Sequence, residues 1–271
     1  MRTLVHLSDL HFGRIDPAVL EPLACAVAEA APDVVVVSGD LTQRARRAQF
    51  HAAAAFLARL PQPQVVVPGN HDVPLYDVAR RFLAPLARFR RYVQAEPFPE
   101  YVDDTVAVVG VNTARSLVFK GGRINRAQVT ALARRFAGLP PRLVRVVVSH
   151  HPFEEGPHAS RRDRLGRAGM ALRAFAGCRV DLFLSGHLHR SHQALSERLQ
   201  EGGYAGLVVH AGTAASTRGR GEANAFNVLR VAADALVLET LAFEPRDGRF
   251  VPVAQARYRR SPARGWAAAA G

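Results

Sequence analysis

Five apolar runs in this chain each end abruptly in side chains able to bind a metal or move a proton. Residues 4–7 lead into Asp9 and His11, and Val34–Val37 lead into Asp40. Residues 64–67 lead into Pro68-Gly69-Asn70-His71-Asp72. Residues 143–149 lead into His150-His151, and residues 180–184 into His187 and His189. A run such as Val34–Val37 has no polar alternation, which is the pattern of a strand covered on both faces. Helical segments separate the first three runs. One spans residues 17–30, with Asp16 as N-cap and Pro17 at the first helical position. A second spans residues 45–60 and is closed by Pro61 and Pro63. The βαβαβ alternation predicts a largely parallel sheet with helices on its faces. Ligands bind such sheets beyond the carboxyl ends of the strands, where the polar groups fall.

The remaining elements follow from the same signals. Residues 77–92 are expected to be helical with an interruption at Pro85. Residues 105–111 read as a strand, Gly121-Gly122-Arg123 as a turn, and residues 126–137 as a helix capped by Asn125. Residues 154–163 form a polar loop and residues 165–176 a helix. Beyond His192 four β segments are expected, at residues 206–210, 225–231, 236–243 and 250–255. They predict a strand-rich sheet packed against the first. A single domain over residues 1–260 is expected, with residues 261–271 a disordered tail.

Composition narrows the class. Formal net charge is +13, and Lys120 is the only lysine among 36 basic residues. An Arg- and Ala-rich genome accounts for much of this, although a basic chain also attracts phosphate esters and nucleic acid. The two cysteines, Cys25 and Cys178, form no CxxC, which argues against a disulfide framework or a thiolate site. No secretory signal or membrane span is evident, so a cytoplasmic protein is expected.

The ligand inventory points to metal. Asp9 and His11 are two residues apart, as are His187 and His189, and extended chain would turn each pair toward one centre. His150 and His151 are adjacent, so only one of them should face it. Setting His71 aside leaves two Asp, one Asn and four His, too many for one ion and suited to two ions sharing a carboxylate. Imidazole and oxygen without thiolate favour Mn, Fe, Zn or Co over Mg or Ca. Two such ions ~3.5–4 Å apart form a clamp for in-line displacement at phosphorus.

Together, Asp9-x-His11, Gly39-Asp40, Gly69-Asn70-His71-Asp72, His150 and Gly186-His187-x-His189 resemble the five signature blocks of the calcineurin-like metallophosphoesterases. All five occur in order. Ser8-Asp9-Leu10-His11, Gly39-Asp40-Leu41-Thr42 and Ser149-His150-His151-Pro152 are most similar to the bacterial class III cyclic-nucleotide phosphodiesterases. Residues 121–139 and Gly212-Thr213-Ala214 also resemble that group.

The resemblance implies a four-layer α/β/β/α sandwich of two mixed sheets flanked by helices, with a dimetal site at the strand C-terminal ends. It implies that Asp9, His11 and His189 hold one ion, that Asn70, His150 and His187 hold the other, and that Asp40 bridges them. The ions would be Mn²⁺, Fe²⁺ or Fe³⁺, Zn²⁺ or Co²⁺. His71 would be no ligand; it would face the phosphate and protonate the leaving alkoxide, with Asp72 orienting it. The implied reaction is phosphodiester hydrolysis by metal-bound hydroxide, with 3′,5′-cyclic AMP or a related cyclic nucleotide as substrate. A phosphatase, a pyrophosphatase or a DNA exonuclease-type phosphoesterase is the alternative. Little length remains for DNA-binding segments, so a small-molecule substrate is favoured over nucleic acid. A non-catalytic binding module would lack a ligand, and none is missing. Oligomeric state is open, a homodimer included. His151 is expected to support a ligand or face substrate, and Arg161, Arg162, Arg164 and Arg167 to form a solvated basic face.

Overall fold

The structure is a computed structural model that describes residues 1–154, 163, 165–196, 203–218 and 221–269. The chain opens as expected, with β1 (Arg2–Leu7), α1 (Pro17–Glu29), β2 (Val34–Val37), α2 (Arg47–Leu57) and β3 (Gln64–Val66). The Asp16 carboxylate accepts from the Ala18 amide and caps α1. The three strands pair in parallel, β1 with β2 and β2 with β3. Helices α3 (Val78–Leu83) and α4 (Ala87–Tyr92) are separated at Pro85, where a missing N–H and a ring clash end a helix.

The middle of the chain builds a second sheet. Its elements are β4 (Glu100–Val102), β5 (Val106–Gly110), β6 (Gly122–Arg123), α5 (Arg126–Ala137), β7 (Val144–Val148), β8 (Leu165–Gly166), α6 (Ala168–Gly177), β9 (Leu182–Ser185), β10 (His192–Leu195) and β11 (Leu207–His210). The strand order is β10-β11-β9-β7-β5-β4, with β5, β7, β9 and β11 parallel. Two sequence assignments change here. Gly122 and Arg123 pair with Leu165 and Gly166 in a two-stranded ladder, so the expected turn is a strand. The helix expected from residue 165 starts instead at Ala168, because Arg167 at φ 70 breaks the helical path.

The last strands are β12 (Ala225–Val231), β13 (Ala235–Glu244), β14 (Arg249–Ser261) and β15 (Gly265–Ala268). They do not form a separate sheet packed on the first. They extend it, because β12 pairs antiparallel with β1, Leu229 opposite Leu4, giving the order β15-β14-β13-β12-β1-β2-β3. The disordered tail expected from residue 261 is also corrected. Ser261 pairs with Gly265 across the β14–β15 turn, and Trp266 is only 2% exposed. Arg260 in β14 forms a buried ion pair with Asp181 at 2.6 Å, anchoring this edge to the second sheet. Residues 270–271 lie outside the described residues.

Alternation explains why the Val run is apolar throughout. Val34 and Val36 face the second sheet, packing with Val108, Val146, Val148 and Leu184. Val35 and Val37 face outward against Val19, Leu23, Phe50 and Phe56 of α1 and α2. On the far side, Val109, Val147 and Phe183 pack under Val129, Phe136 and Phe175 of α5 and α6. The result is the four-layer α/β/β/α sandwich of two mixed sheets. Among the described residues, no helix is long and apolar enough to cross a membrane.

Candidate metal centre

The five polar groups meet at one end of the sandwich, but they come from both sheets. β1, β2 and β3 bring Asp9, His11, Asp40 and Asn70, while β7 and β9 bring His150, His187 and His189. The backbone there is not extended. Asp9, His11, Asp40, His187 and His189 have φ values of 53, 52, 52, 71 and 57°. Non-glycine residues in this left-handed region each cost of order 1–3 kcal/mol and persist where surrounding structure enforces them. The alternation argument for paired presentation therefore fails in its mechanism. Asp9 and His11 still converge, but His187 and His189 turn to different groups.

In the first group, ligand-type atoms of Asp9, His11, Asp40 and His189 all lie within 4.8 Å of one another. His11 Nε2 is 3.5 Å from Asp9 Oδ1 and 3.6 Å from Asp40 Oδ2. His189 Nε2 is 3.4 Å from Asp9 Oδ1. In the second group, His150 Nε2 is 3.2 Å from Asn70 Oδ1, 3.3 Å from His187 Nδ1 and 3.4 Å from Asp40 Oδ2. Asp40 thus presents one oxygen to both groups. Its other oxygen, Oδ1, is held by the His71 amide at 2.8 Å.

Buried polar atoms almost always have hydrogen-bond partners. Asp9 Oδ1 and His11 Nε2 are buried and have none, and both point into the first group. The set contains no thiolate, and Cys25 and Cys178 are both free. Clustered imidazoles and carboxylates with unfilled lone pairs fit borderline divalent ions, so the residues match the two-ion requirement. Outer partners orient the rings. His150 Nδ1 donates to the Ser38 carbonyl at 2.8 Å, His189 Nδ1 meets Thr213 Oγ1 at 2.8 Å, and His187 Nε2 lies 3.4 Å from Asp163 Oδ1. Each contact leaves the opposite nitrogen facing the centre. Ser38 and Asp163 carry no sequence signal, because contacts to His150 and His187 that span 112 and 24 residues have no spacing to read in the chain.

Electrostatics agree. Burial opposes charge on Asp9 and Asp40, yet His189 beside the first and His150 beside the second hold both carboxyls below the usual range. Burial pushes His189 down to about 4 and lowers His151 and His187, which favours the neutral ring in each and leaves those of His187 and His189 as candidate ligands. Burial also opposes charge on His150, but the adjacent Asp40 carboxylate raises it to about 9. A cation, whether proton or metal ion, is favoured between these two side chains.

The other candidates separate clearly. His151 lies near His150 and His187, but Thr113 Oγ1 sits 2.9 Å from its Nδ1 and the Lys120 carbonyl 3.1 Å from its Nε2. Both nitrogens are engaged, so His151 is a wall of the second group. His71 stacks edge-on against His11 at 5.0 Å and directs Nδ1 to the Gln43 carbonyl at 2.9 Å. Asp72 does not orient that ring. Its carboxylate accepts from the amides of Leu41, Thr42 and Gly69 and from Thr42 Oγ1, at 3.1, 2.9, 2.9 and 2.9 Å. It ties the loop after β2 to the loop after β3, because those amides turn inward below the site. Arg161, Arg162 and Arg164 lie outside the described residues, and Arg167 precedes α6.

Two glycines let these loops approach. A Cβ on Gly69 would fall 2.1 Å from Asp40 Oδ1, and one on Gly186 would fall 1.7 Å from Ser8 Oγ. Sequence reasoning missed Arg44 and Arg218, whose guanidinium groups reach His71. Nothing local distinguishes them from 33 other arginines (36 basic residues less Lys120 and these two).

The calcineurin-like phosphoesterase family matches residues 2–191, so the chain belongs to that family and is a metal-dependent phosphoesterase. No curated protein matches the sequence. Among solved structures, PhoD superposes with a TM-score of 0.72 at 12% identity, covering 99% of this chain and 71% of PhoD. A dimetal phosphatase from Danio rerio gives 0.64 at 14% identity, over 93% of this chain and 98% of that one. Purple acid phosphatase PPD1 from yellow lupin (Lupinus luteus) gives 0.66 at 13% identity. That match covers 94% of this chain, which spans about half (53%) of the lupin protein. At these identities the likeness concerns the fold.

Proposed function

We propose that the chain hydrolyses phosphoesters at a two-metal centre in which Asp9, His11 and His189 hold one ion, Asn70, His150 and His187 hold the second, and Asp40 bridges. The observation that carries this reading is Asp40 Oδ2, which stands 3.6 Å from His11 Nε2 and 3.4 Å from His150 Nε2. When bound, two such ions lower the pKa of water from ~15.7 toward ~7 and screen charge on a reacting phosphoryl group. The protein's own contribution is placement. Ser38, Thr213 and Asp163 fix three ligand rings, and the Gln43 carbonyl holds His71 with Nε2 turned away from its own loop. In the free site that Nε2 accepts from Arg218 Nη1 at 3.0 Å; once Arg218 turns to substrate, a proton taken up on Nε2 would pass to the leaving alkoxide.

Two substrate classes follow. Motif details support a phosphodiester, 3′,5′-cyclic AMP or a related cyclic nucleotide. The arginines at His71 support a phosphomonoester or phosphoanhydride. Hydrolysis of bis-p-nitrophenyl phosphate, cyclic AMP and p-nitrophenyl phosphate by Mn²⁺-loaded protein tests the activity and ranks the classes. Asp40→Ala should lose both ions and all turnover. Folded, metal-loaded protein that turns over none of the three refutes the reading.

A further inference from the structure

Arg218 is a cation built into the site without an acid to pair with. Its Nη1 lies 3.0 Å from His71 Nε2 and 3.4 Å from Gln43 Oε1, and it forms no ion pair with a carboxylate among the described residues. Its backbone is fixed. The Arg218 amide donates to Ser216 Oγ at 3.2 Å, Ser216 Oγ donates to the Arg14 carbonyl at 2.9 Å, and Asn224 Nδ2 holds the Ser216 carbonyl at 3.0 Å. Arg44 approaches from the other side, with Nη1 3.3 Å from His71 Nδ1. Two half-buried guanidinium groups around one imidazole repel each other, and a guanidinium has only donors to offer. The arrangement calls for an anion on the open side of His71, next to the ligands Asp40 and His11.

Phosphoesters differ in what they can give such a donor. A diester phosphorus carries two terminal oxygens and one negative charge. A monoester, or the end of a phosphoanhydride, carries three terminal oxygens and up to two charges. The fork of a guanidinium matches a pair of terminal phosphoryl oxygens, and the added charge strengthens both contacts. We infer that Arg218 is a specificity-determining, substrate-contacting residue that selects a terminal phosphoryl group, so that phosphomonoesters or phosphoanhydrides are preferred over cyclic diesters. This rests on the phosphoesterase reading above.

The test compares wild type with Arg218→Ala, Arg218→Gln and Arg218→Lys as Mn²⁺-loaded protein. Metal content and melting temperature confirm that each variant is intact. Expected is a loss of about ten- to hundredfold in kcat/KM for p-nitrophenyl phosphate, the size of one hydrogen bond to an ion. Bis-p-nitrophenyl phosphate should change less than about threefold, and lysine should restore only part of the loss. Calorimetric binding of inorganic phosphate should weaken in parallel. Equal loss on both substrates, a wild type active only on the diester, or unchanged phosphate binding overturns the inference. If wild type hydrolyses neither ester but phosphate binding still falls in Arg218→Ala, the phosphoesterase reading fails while the anion site stands.

Discussion

Asp72→Ala separates two views of the Asn70–Asp72 turn. In one, Asp72 serves the chemistry by steering His71. In the other, supported by its four hydrogen bonds, it holds together the loops that carry Asp40 and Asn70. The substitution would strand three backbone amides, those of Leu41, Thr42 and Gly69, all in buried residues. A buried donor left unpaired costs about 1–3 kcal/mol, so the gross penalty is on the order of 3–9 kcal/mol. Burial, with Asp40 nearby, pushes the Asp72 carboxyl up to about 6, so removing it relieves some desolvation and the net loss falls toward about 3–5 kcal/mol. For a chain of this length that corresponds to a drop of roughly 5–10 °C in melting temperature. The assays are thermal and urea melts with and without excess Mn²⁺, metal stoichiometry, and rates across leaving groups of increasing pKa. Asp72→Asn, which keeps one acceptor oxygen, should fall between. A variant that melts like wild type, keeps both ions and loses rate in proportion to leaving-group pKa would refute this reasoning and return Asp72 to its role as orienter of His71.

Other perturbations follow from the same geometry. Asp163→Asn removes the carboxylate behind His187 and should weaken the second ion about 10–100-fold while the first stays bound; two equally tight ions in a metal titration would contradict it. Gly186→Ala places a Cβ 1.7 Å from Ser8 Oγ and 2.5 Å from Asp9 Oδ2. Metal analysis should find the first ion lost, with native circular dichroism; a variant with full metal content would show that the loops can yield. His6 and His210 are each pushed down to about 3, chiefly by burial. The unfolded chain, titrating near 6.5, therefore binds more protons between those values. Stability should be complete above pH 6.5 and fall by about 2 kcal/mol per histidine at pH 5. His6→Gln should flatten that slope in urea melts at pH 5 and 7, and a wild type equally stable at both would show that these rings accept protons in place.

The sequence by itself determined the strand–helix alternation, because each buried run is long enough and apolar enough to leave no other assignment. It also supplied the candidate ligands, since Asp9, His11, Asp40, Asn70, His150, His187 and His189 stand at strand ends that any parallel arrangement lines up. It could not assign the last strands to a sheet. Alternation in β12–β15 says which face is apolar but not that β12 would lie beside β1, and a tail rich in Arg and Ala hid the burial of Trp266. The resemblance implied a division of the candidate ligands, but the residue pattern alone pointed the wrong way, because left-handed residues at 9, 11, 40, 187 and 189 cancel the two-residue periodicity from which facing is inferred. The contacts of Asp72, His151, Asp163 and Arg218 were likewise set only in space. Each depends on a partner 24 to 147 residues away, and contacts of that span leave no pattern in the order of residues.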